Sequence, residues 1–204
     1  KGVNALEAVI QVFNSINALR LHLPKDVNIH GIITNGGVAA NVVPDFASAR
    51  FYLRAANRAT LNDVYAKVEN IVKAAALATG ATYEFGLFQN SVDDIIVTDA
   101  FDEVFFSHAQ AAGVPADEIV EVKKQSLGSS DVGNVSQVIP TIQPTVSISD
   151  DYIAGHSIEF KAAARSPKGL NSIGIAAELL AKTALDLIEQ PELLTTIKKK
   201  HQAS

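Results

Sequence analysis

Apolar residues near the start of the chain recur every three or four positions, as they do on one face of a helix. The positions are Leu6, Ile10, Phe13, Ile16 and Leu19. This spacing predicts an amphipathic helix. Asn4 and Glu7 form a capping box at its start, and Pro24 is expected to end it.

Two segments then alternate between apolar and polar residues, which is typical of strands with one buried face. The segments are "VNIHGIIT" at 27–34 and "ASARFYLRA" at 47–55. His30 is on the polar side of the first strand, and Arg54 is on the polar side of the second. The alternation therefore allows His30 and Arg54 to share one surface, with the loop that carries Asn41 joining the two strands.

A second helix is predicted to begin at a cap formed by Thr60 and Asp63 and to end at Gly80. The segment "ATYEFGLFQ" at 81–89 is expected to be a further strand. The order helix, strand, strand, helix, strand predicts an α+β two-layer domain, with two helices on one face of an antiparallel sheet. The balanced form of this architecture has one more strand before the first helix, and that strand is expected upstream of residue 1.

The pattern changes after about residue 90. We expect a helix near 98–112, a short strand at 118–122 and a short helix that ends before Pro140. The segment "TIQPTVSIS" at 141–149 is predicted to be an edge or bulged strand, because Pro144 interrupts it. A polar loop and a long amphipathic helix at about 170–189 follow. This half has too few strands to close a sheet of its own.

Composition excludes several classes of protein. The 204 residues include no cysteine, which excludes disulfides, thiolate metal sites and thiol catalysis. A formal charge of -5 gives no general attraction to nucleic acid or acidic membranes, and no apolar run is long enough for a membrane span. We therefore expect a cytoplasmic protein with neither nucleic acid nor membrane as a partner. Because the chain contains no methionine, we also expect it to be part of a longer protein.

Three polar residues in the first half suit the recognition of an anionic amide. The segment "HGIITNGGVAANVVPD" at 30–45 contains His30 and Asn41, and Arg54 follows on the next strand. An imidazole, a carboxamide and a guanidinium together suit a carboxylate and an amide carbonyl. The alternative is the solvent face of a sheet with a capping asparagine, and the pattern leaves both open.

In the second half, His156 in "AGHSIEF" follows Asp150 and Asp151 closely. A histidine with nearby carboxylates suits zinc, although a surface histidine in a polar loop has the same pattern. Ser130 and Asp131 stand at a helix start in "GSSDVGNVS", where both residue types are common caps.

Four segments together resemble one family. They are "GVNALEAV", "HGIITNGGVAANVVPDFASARFYLRA", "GSSDVGNVSQVIPT" and "GHSIEF". In this order they are similar to the dinuclear-zinc aminoacylase/carboxypeptidase amidohydrolases, in particular to the branch of p-aminobenzoyl-glutamate hydrolases and aminoacylase-like proteins. The resemblance runs from residue 2 to about 195.

The resemblance implies a fold and a function. It makes 1–90 an α+β lid and dimerisation domain without its first strand, and 91–204 the C-terminal portion of an α/β zinc-hydrolase catalytic domain. The expected activity is metal-dependent hydrolysis of an amide bond in an N-acyl amino acid, a p-aminobenzoyl-glutamate-like compound or a small peptide. The substrate bears a carboxylate, two zinc ions are expected per active site, with manganese or cobalt as alternatives, and the lid implies a homodimer.

The resemblance also implies roles for particular residues. His30 matches a lid histidine that reaches the partner subunit's active site and helps to stabilise the oxyanion. Asn41 and Arg54 match residues that bind the substrate carboxylate or carbonyl. His156 matches the late histidine that completes the metal site.

Gly128 to Asp131 match a turn that lines the active-site cleft, which makes Ser130 and Asp131 substrate-binding candidates. The chain departs from the family pattern because it has no His-x-Asp element and no adjacent pair of glutamates. At most one metal ligand remains, so the chain is expected to be inactive by itself, since catalytic zinc takes three protein ligands. The alternative is a non-catalytic dimerisation or ligand-binding module that retains the lid architecture.

Overall fold

The computed structural model describes residues 2–115, 119 and 129–203. The chain forms two compact units, Lys1–Asp94 and Ile95–Ser204. The first unit contains mixed helices and strands: α1 Ala5–Arg20, β1 Asn28–Asn35, β2 Ser48–Arg54 and α2 Arg58–Thr79. Its two strands pair antiparallel, and they form the only sheet in the part of the chain that the structure describes.

The start of α1 is set by the predicted asparagine cap. The side-chain oxygen of Asn4 accepts hydrogen bonds from the backbone N–H groups of Leu6 and Glu7, at 3.1 and 3.3 Å. These bonds satisfy two of the N–H groups that a helix start leaves without partners. The helix ends at Arg20, before it reaches Pro24.

The second helix begins earlier than the sequence predicts. Asn57, in an extended conformation, caps α2 by accepting a hydrogen bond from the N–H of Thr60 at 2.9 Å. The prediction of a cap at Thr60 and Asp63 was therefore wrong, because an asparagine three residues upstream already serves the first free N–H group. The predicted end is confirmed, since Gly80 adopts the left-handed conformation, with φ 75°.

The hydrophobic core of the first unit lies between the two helices and one face of the strand pair. Its buried residues come from α1, β1 and α2: Val12, Ile16, Ile29, Val64, Val68 and Ala75. Phe13 of α1 stacks against Phe51 of β2 with the ring centroids 4.7 Å apart. The predicted two-layer arrangement, with two helices on one face of an antiparallel sheet, is thus present with two strands.

The strand predicted at 81–89 is absent from the structure. Residues 81–98 contain no strand, and Tyr83 to Gln89 make no backbone ladder with β2. Side chains hold this segment instead: Phe85 packs on the core beside Tyr65, and the Tyr52 hydroxyl donates to Oε1 of Gln89 at 2.9 Å. Alternation predicted a strand because it is a local signal, but a strand also needs a backbone partner.

A single arginine ties the end of this segment to α2. Arg58 donates from its backbone N–H to Asp94 at 2.8 Å, from Nη1 to Ser91 at 2.7 Å and from Nη2 to the carbonyl of Val92 at 2.9 Å. Its Nε also pairs with Asp93. The planar guanidinium therefore bonds three consecutive residues with a fixed geometry.

The second unit is helical among its described residues. Its helices are α3 Asp99–Ala111, α4 Val132–Ser136, α5 Ile158–Ala164, α6 Pro167–Glu189 and α7 Pro191–His201. Buried Phe105 and Ala109 of α3 pack against Leu179 of α6. The predicted helix near 98–112, the short helix before Pro140 and the long helix at 170–189 are confirmed. In the described ranges, no helix has the length and apolar character needed to cross a membrane.

Two further predictions for this unit were wrong. The segment 141–149 is not a strand. Pro144 cannot donate to a ladder, and Ser147 bonds locally, both to the carbonyl and to the N–H of Ser149. The predicted loop before the long helix contains α5, whose start is capped by the Ser157 hydroxyl. The strand expected at 118–122 falls on residues that, apart from Ile119, the structure does not describe.

Ion pairs four residues apart stabilise the solvated sides of the long helices. Lys73 donates to Glu69 on α2, and this hydrogen bond raises the pKa of the lysine. Lys182 donates to Glu178 on α6, and this hydrogen bond lowers the pKa of the glutamate. Both pairs are open to water, which screens them, so they mark solvated helix faces and contribute little to stability.

The fully buried Ile16 provides a test of the core. We expect Ile16→Ala to lower the free energy of unfolding by about 2–5 kcal/mol, because it leaves a cavity between α1 and α2. Leu21, at the end of the same helix, is 82% exposed, and Leu21→Ala should cost less than about 0.5 kcal/mol. Urea unfolding followed by circular dichroism measures both, and equal losses would contradict this core assignment.

The arginine tie makes a separate prediction. Arg58→Ala should free residues 91–94 and speed chymotryptic cleavage after Phe88 about tenfold, because losing charged hydrogen bonds lowers the local opening free energy by about 1.4 kcal/mol or more. The control is Arg20→Ala, which removes a guanidinium bond to the Ile29 carbonyl elsewhere in the unit. Equal cleavage rates in the two variants would show that Arg58 does not hold the segment.

Candidate functional site

The strand pair buries one face and leaves the other open to solvent. We call the open side the outer face, and it carries the side chains of Asn28, His30, Ile32, Thr34, Ser48, Arg50, Tyr52 and Arg54. These residues alternate with the inward-facing residues of the same strands, as the pleat requires. The outer face therefore presents an imidazole, two guanidinium groups and a phenol, and none of its eight side chains is a carboxylate.

His30 and Arg54 lie close together on this face. Asn28 is the register partner of Arg54, and Tyr52 is the register partner of His30. His30 and Arg54 are thus diagonal neighbours, about 7–8 Å apart between their backbones. Within the part of the chain that is described, neither side chain forms a hydrogen bond or an ion pair. Two free donors on a face without carboxylates can bind an anion such as a carboxylate.

Asn41 lies at the other end of the strand pair. It belongs to the loop 36–47, which lines a groove of about 590 Å³ together with Asn4, Leu6 and Glu7. His30 precedes the last residue of β1 by five positions, or about 17 Å of strand. The structure therefore does not bring Asn41 together with His30 and Arg54 within the first unit.

The loop that carries Asn41 is fixed against α1. The N–H of Ala5 donates to the carbonyl of Pro44 at 3.0 Å. Gly37 has a φ of 109°, and a Cβ there would come within 2.8 Å of the Pro44 ring. A side chain at this position would be strained in both respects, so the glycine lets the loop fold back onto the helix start.

Ser130 and Asp131 lie together at the start of α4. The Ser130 hydroxyl accepts from the N–H of Val132 and from Nε2 of Gln143, both at 3.3 Å. Asp131 occupies the cap position, but its exposed carboxylate makes no capping hydrogen bond. The serine thus serves the turn, while the aspartate remains open to solvent. Their predicted roles in substrate binding remain predictions.

His156 is exposed and has a φ of 62°, directly before the Ser157 cap of α5. Of the two aspartates upstream of it, Asp150 forms an ion pair with Lys168. Among the residues that the structure describes, no three histidine, aspartate or glutamate side chains come close enough to hold a metal ion. This donor set does not fit a zinc site, so the role of His156 as a ligand remains a prediction.

A histidine–carboxylate pair that the sequence does not indicate joins two helices of the second unit. Nε2 of His108 on α3 lies 2.7 Å from Asp186 on α6, and the buried Thr98 hydroxyl lies 2.8 Å from Nδ1 of His201 on α7. Both contacts link helices that pack together. We assign them a structural role, because each histidine already has a protein partner.

Sequence reasoning missed one cluster beside His30. Tyr52 contacts Phe88 edge-to-face with the ring centroids 5.2 Å apart, and Arg50 lies over the same Phe88 ring at 5.5 Å. Alternation correctly places Arg50 and Tyr52 on the polar side of β2. The contribution of Phe88 has no local signal, because its segment folds back from 36 residues further along the chain.

Comparison with known proteins relates the first unit to a domain family. Residues 1–80 match the family model described as "Peptidase dimerisation domain", of the M20 type. The chain is 32% identical to a Xaa-Arg dipeptidase of Mus musculus over 199 residues, which cover 98% of this chain and 46% of that protein. For the Xaa-Arg dipeptidase of Homo sapiens, the identity is 31% and the shares are 98% and 45%.

A bacterial relative is more distant. A p-aminobenzoyl-glutamate hydrolase of Escherichia coli (strain K12) is 24% identical over 256 residues, which cover 98% of this chain and 53% of that protein. The chain therefore spans about half the length of the curated relatives that it matches. These relatives are peptidases and hydrolases.

The donor set predicts how this chain responds to zinc. In a calorimetric titration of the 204-residue chain we expect weak binding that His156→Ala does not change, because the described residues do not gather three ligands. Tight binding that the substitution abolishes would contradict this prediction and would place a complete zinc site within the chain.

Proposed function

Because residues 1–80 match a peptidase dimerisation domain of the M20 type, we propose that this chain works within a metal-dependent amidohydrolase. The reaction is hydrolysis of an amide bond in an N-acyl amino acid, a p-aminobenzoyl-glutamate-like compound or a small peptide. The substrate bears a carboxylate next to that bond. The observation that carries the proposal is the outer face, where His30 and Arg54 stand together as free donors on a surface without carboxylates.

Each donor has a chemical task in this proposal. The guanidinium of Arg54 presents a planar fork that matches the two oxygens of a carboxylate, so it binds and orients the substrate. The imidazole of His30 donates to the carbonyl oxygen of the amide, where negative charge develops as the bond is attacked. A donor placed at that oxygen stabilises the transition state more than the substrate, which is the requirement for catalysis.

Asn41, Ser130 and Asp131 are proposed as further substrate contacts. Asn41 does not share a surface with His30 in one unit, so its carboxamide reaches the substrate from the opposite end of the strand pair. A homodimer formed through the first unit supplies a second copy of each donor, and the description of the matched domain supports this assembly. We place the protein in the cytoplasm.

The metal-binding half of the proposal has a narrower basis. Zinc, or manganese or cobalt in its place, would supply Lewis-acid chemistry to the complete enzyme. The described donor set does not fit such a site, so His156 is proposed as one ligand, with the other ligands supplied from outside the described residues. The 46% share of the mouse dipeptidase that the chain covers supports such a division.

A second candidate function is a non-catalytic dimerisation or ligand-binding module. The absence of a three-ligand group from the described residues favours it, because such a module needs no metal. The module and the enzyme differ in what the complete reading frame does. The module binds carboxylate-bearing amides without cleaving them, whereas the enzyme hydrolyses them.

The test is an assay of the complete reading-frame product on dipeptides and p-aminobenzoyl-glutamate with zinc, manganese or cobalt. We expect hydrolysis, and we expect His30→Ala to lower kcat about 10²–10³-fold, because it removes a donor to the oxyanion. The matched control is His22→Ala, which removes another exposed histidine of the same unit that does not lie on the outer face.

Two outcomes would contradict the proposal. Binding without cleavage by the complete product would favour the module. Equal activity of the His30→Ala and His22→Ala variants would remove the outer face from the reaction. The 204-residue chain alone is expected to be inactive with every metal.

A further inference from the structure

Tyr52 stands directly opposite His30 on the outer face. The two residues are register partners across the antiparallel ladder, which sets their Cβ atoms about 4.5–5.5 Å apart. Both side chains are exposed, and Tyr52 retains 45% of its accessible surface. The tyrosine ring is therefore the nearest cross-strand neighbour of the imidazole, and its position limits the space in which that imidazole can turn.

The tyrosine is held from its far side. Its hydroxyl donates to Oε1 of Gln89 at 2.9 Å, and the edge of one ring meets the face of the other at the contact with Phe88, with an interplanar angle of 90°. Arg50 lies over the Phe88 ring at 5.5 Å and braces it in turn. A hydrogen bond, an aromatic contact and a cation–π contact thus converge on one exposed side chain.

This arrangement extends to a rigid element. Phe88 and Gln89 belong to the extended segment that follows α2, and Arg58 holds residues 91–94 of the same segment against the start of α2. The segment has no backbone ladder with β2, so the Tyr52 contacts fix its position on the outer face. A series of direct contacts therefore runs from α2 through the segment to Tyr52, and Tyr52 adjoins His30.

We propose that Tyr52 is a positioning residue for His30, held in place by Phe88 and Gln89. The inference rests on the proposed function, in which His30 donates to the substrate. An exposed imidazole without a protein partner samples several rotamers, and ordering it costs conformational entropy at each turnover. A neighbouring ring that is already fixed removes part of this cost and holds the donor where the substrate oxygen arrives.

A purely structural role for Tyr52 makes a different prediction. In that case Tyr52 only holds the segment 86–90 on the strand pair, and His30 does not respond to its loss. The two roles are separated by observing the imidazole itself rather than stability. Tyr83 provides the matched control, because it is a half-exposed tyrosine of the same extended segment that does not contact the outer face.

The first measurement is the pH titration of the His30 ring resonances by NMR in the 204-residue chain, with the resonances assigned by their loss in His30→Gln. We expect Tyr52→Leu and Gln89→Ala to shift them, and Tyr83→Leu to leave them unchanged. Tyr52→Phe keeps the ring but loses the hydroxyl bond, so its shift should be smaller. Unchanged His30 resonances in Tyr52→Leu would overturn the inference.

The second measurement is kinetic and uses the complete reading-frame product. We expect Tyr52→Leu to lower kcat about tenfold or more with KM nearly unchanged, because a displaced donor weakens the transition state rather than binding. Normal kcat in Tyr52→Leu, with activity lost in His30→Ala, would overturn the positioning role. If His30→Ala itself keeps full activity, the proposed function of the outer face fails, and the NMR result alone decides whether Tyr52 orders the imidazole.

Discussion

The burial of one face of a two-stranded ribbon beneath α1 and α2 is the constraint on which the first unit depends. Two strands alone are marginally stable in water, because each has only one backbone partner. Here Ile29 of β1 is buried against Ile16 of α1 and Val68 of α2, so the helices supply the apolar contact that the sheet lacks. The same packing leaves the opposite face of the ribbon open to solvent.

That asymmetry gathers the polar chemistry of the unit. Side chains alternate along each strand, so every residue between two inward-facing ones must point outward. His30, Arg50, Tyr52 and Arg54 reach the same surface for this reason, although two separate segments supply them. Arg58 then secures the segment that crosses β2, where Phe88 meets Tyr52 and Arg50. One core thus determines both the stability of the unit and the composition of its outer face.

Local signals in the sequence predicted the elements that local interactions decide. The Asn4 cap, the left-handed Gly80 and both ribbon strands depend on nearby residues, and the structure confirms each of them. The segments 81–89 and 141–149 alternate equally well but form no strand, because pairing depends on distant backbone. The start of α2 was misplaced since Asn57, Thr60 and Asp63 all suit a cap, and the bond from Thr60 to Asn57 decides between them.

The candidate site was predictable to the same degree. Alternation alone puts His30 and Arg54 on one side of a sheet, because that inference needs only a period of two and a hairpin. It does not reveal that Asn41 lies at the far end of the ribbon, or that Phe88 returns to brace Tyr52, since both depend on the folding of loops. The outer face consequently holds groups that recognise an anion and donate to a carbonyl, while the described residues gather no metal-ligand set. Recognition and metal chemistry therefore reside in different parts of the proposed enzyme.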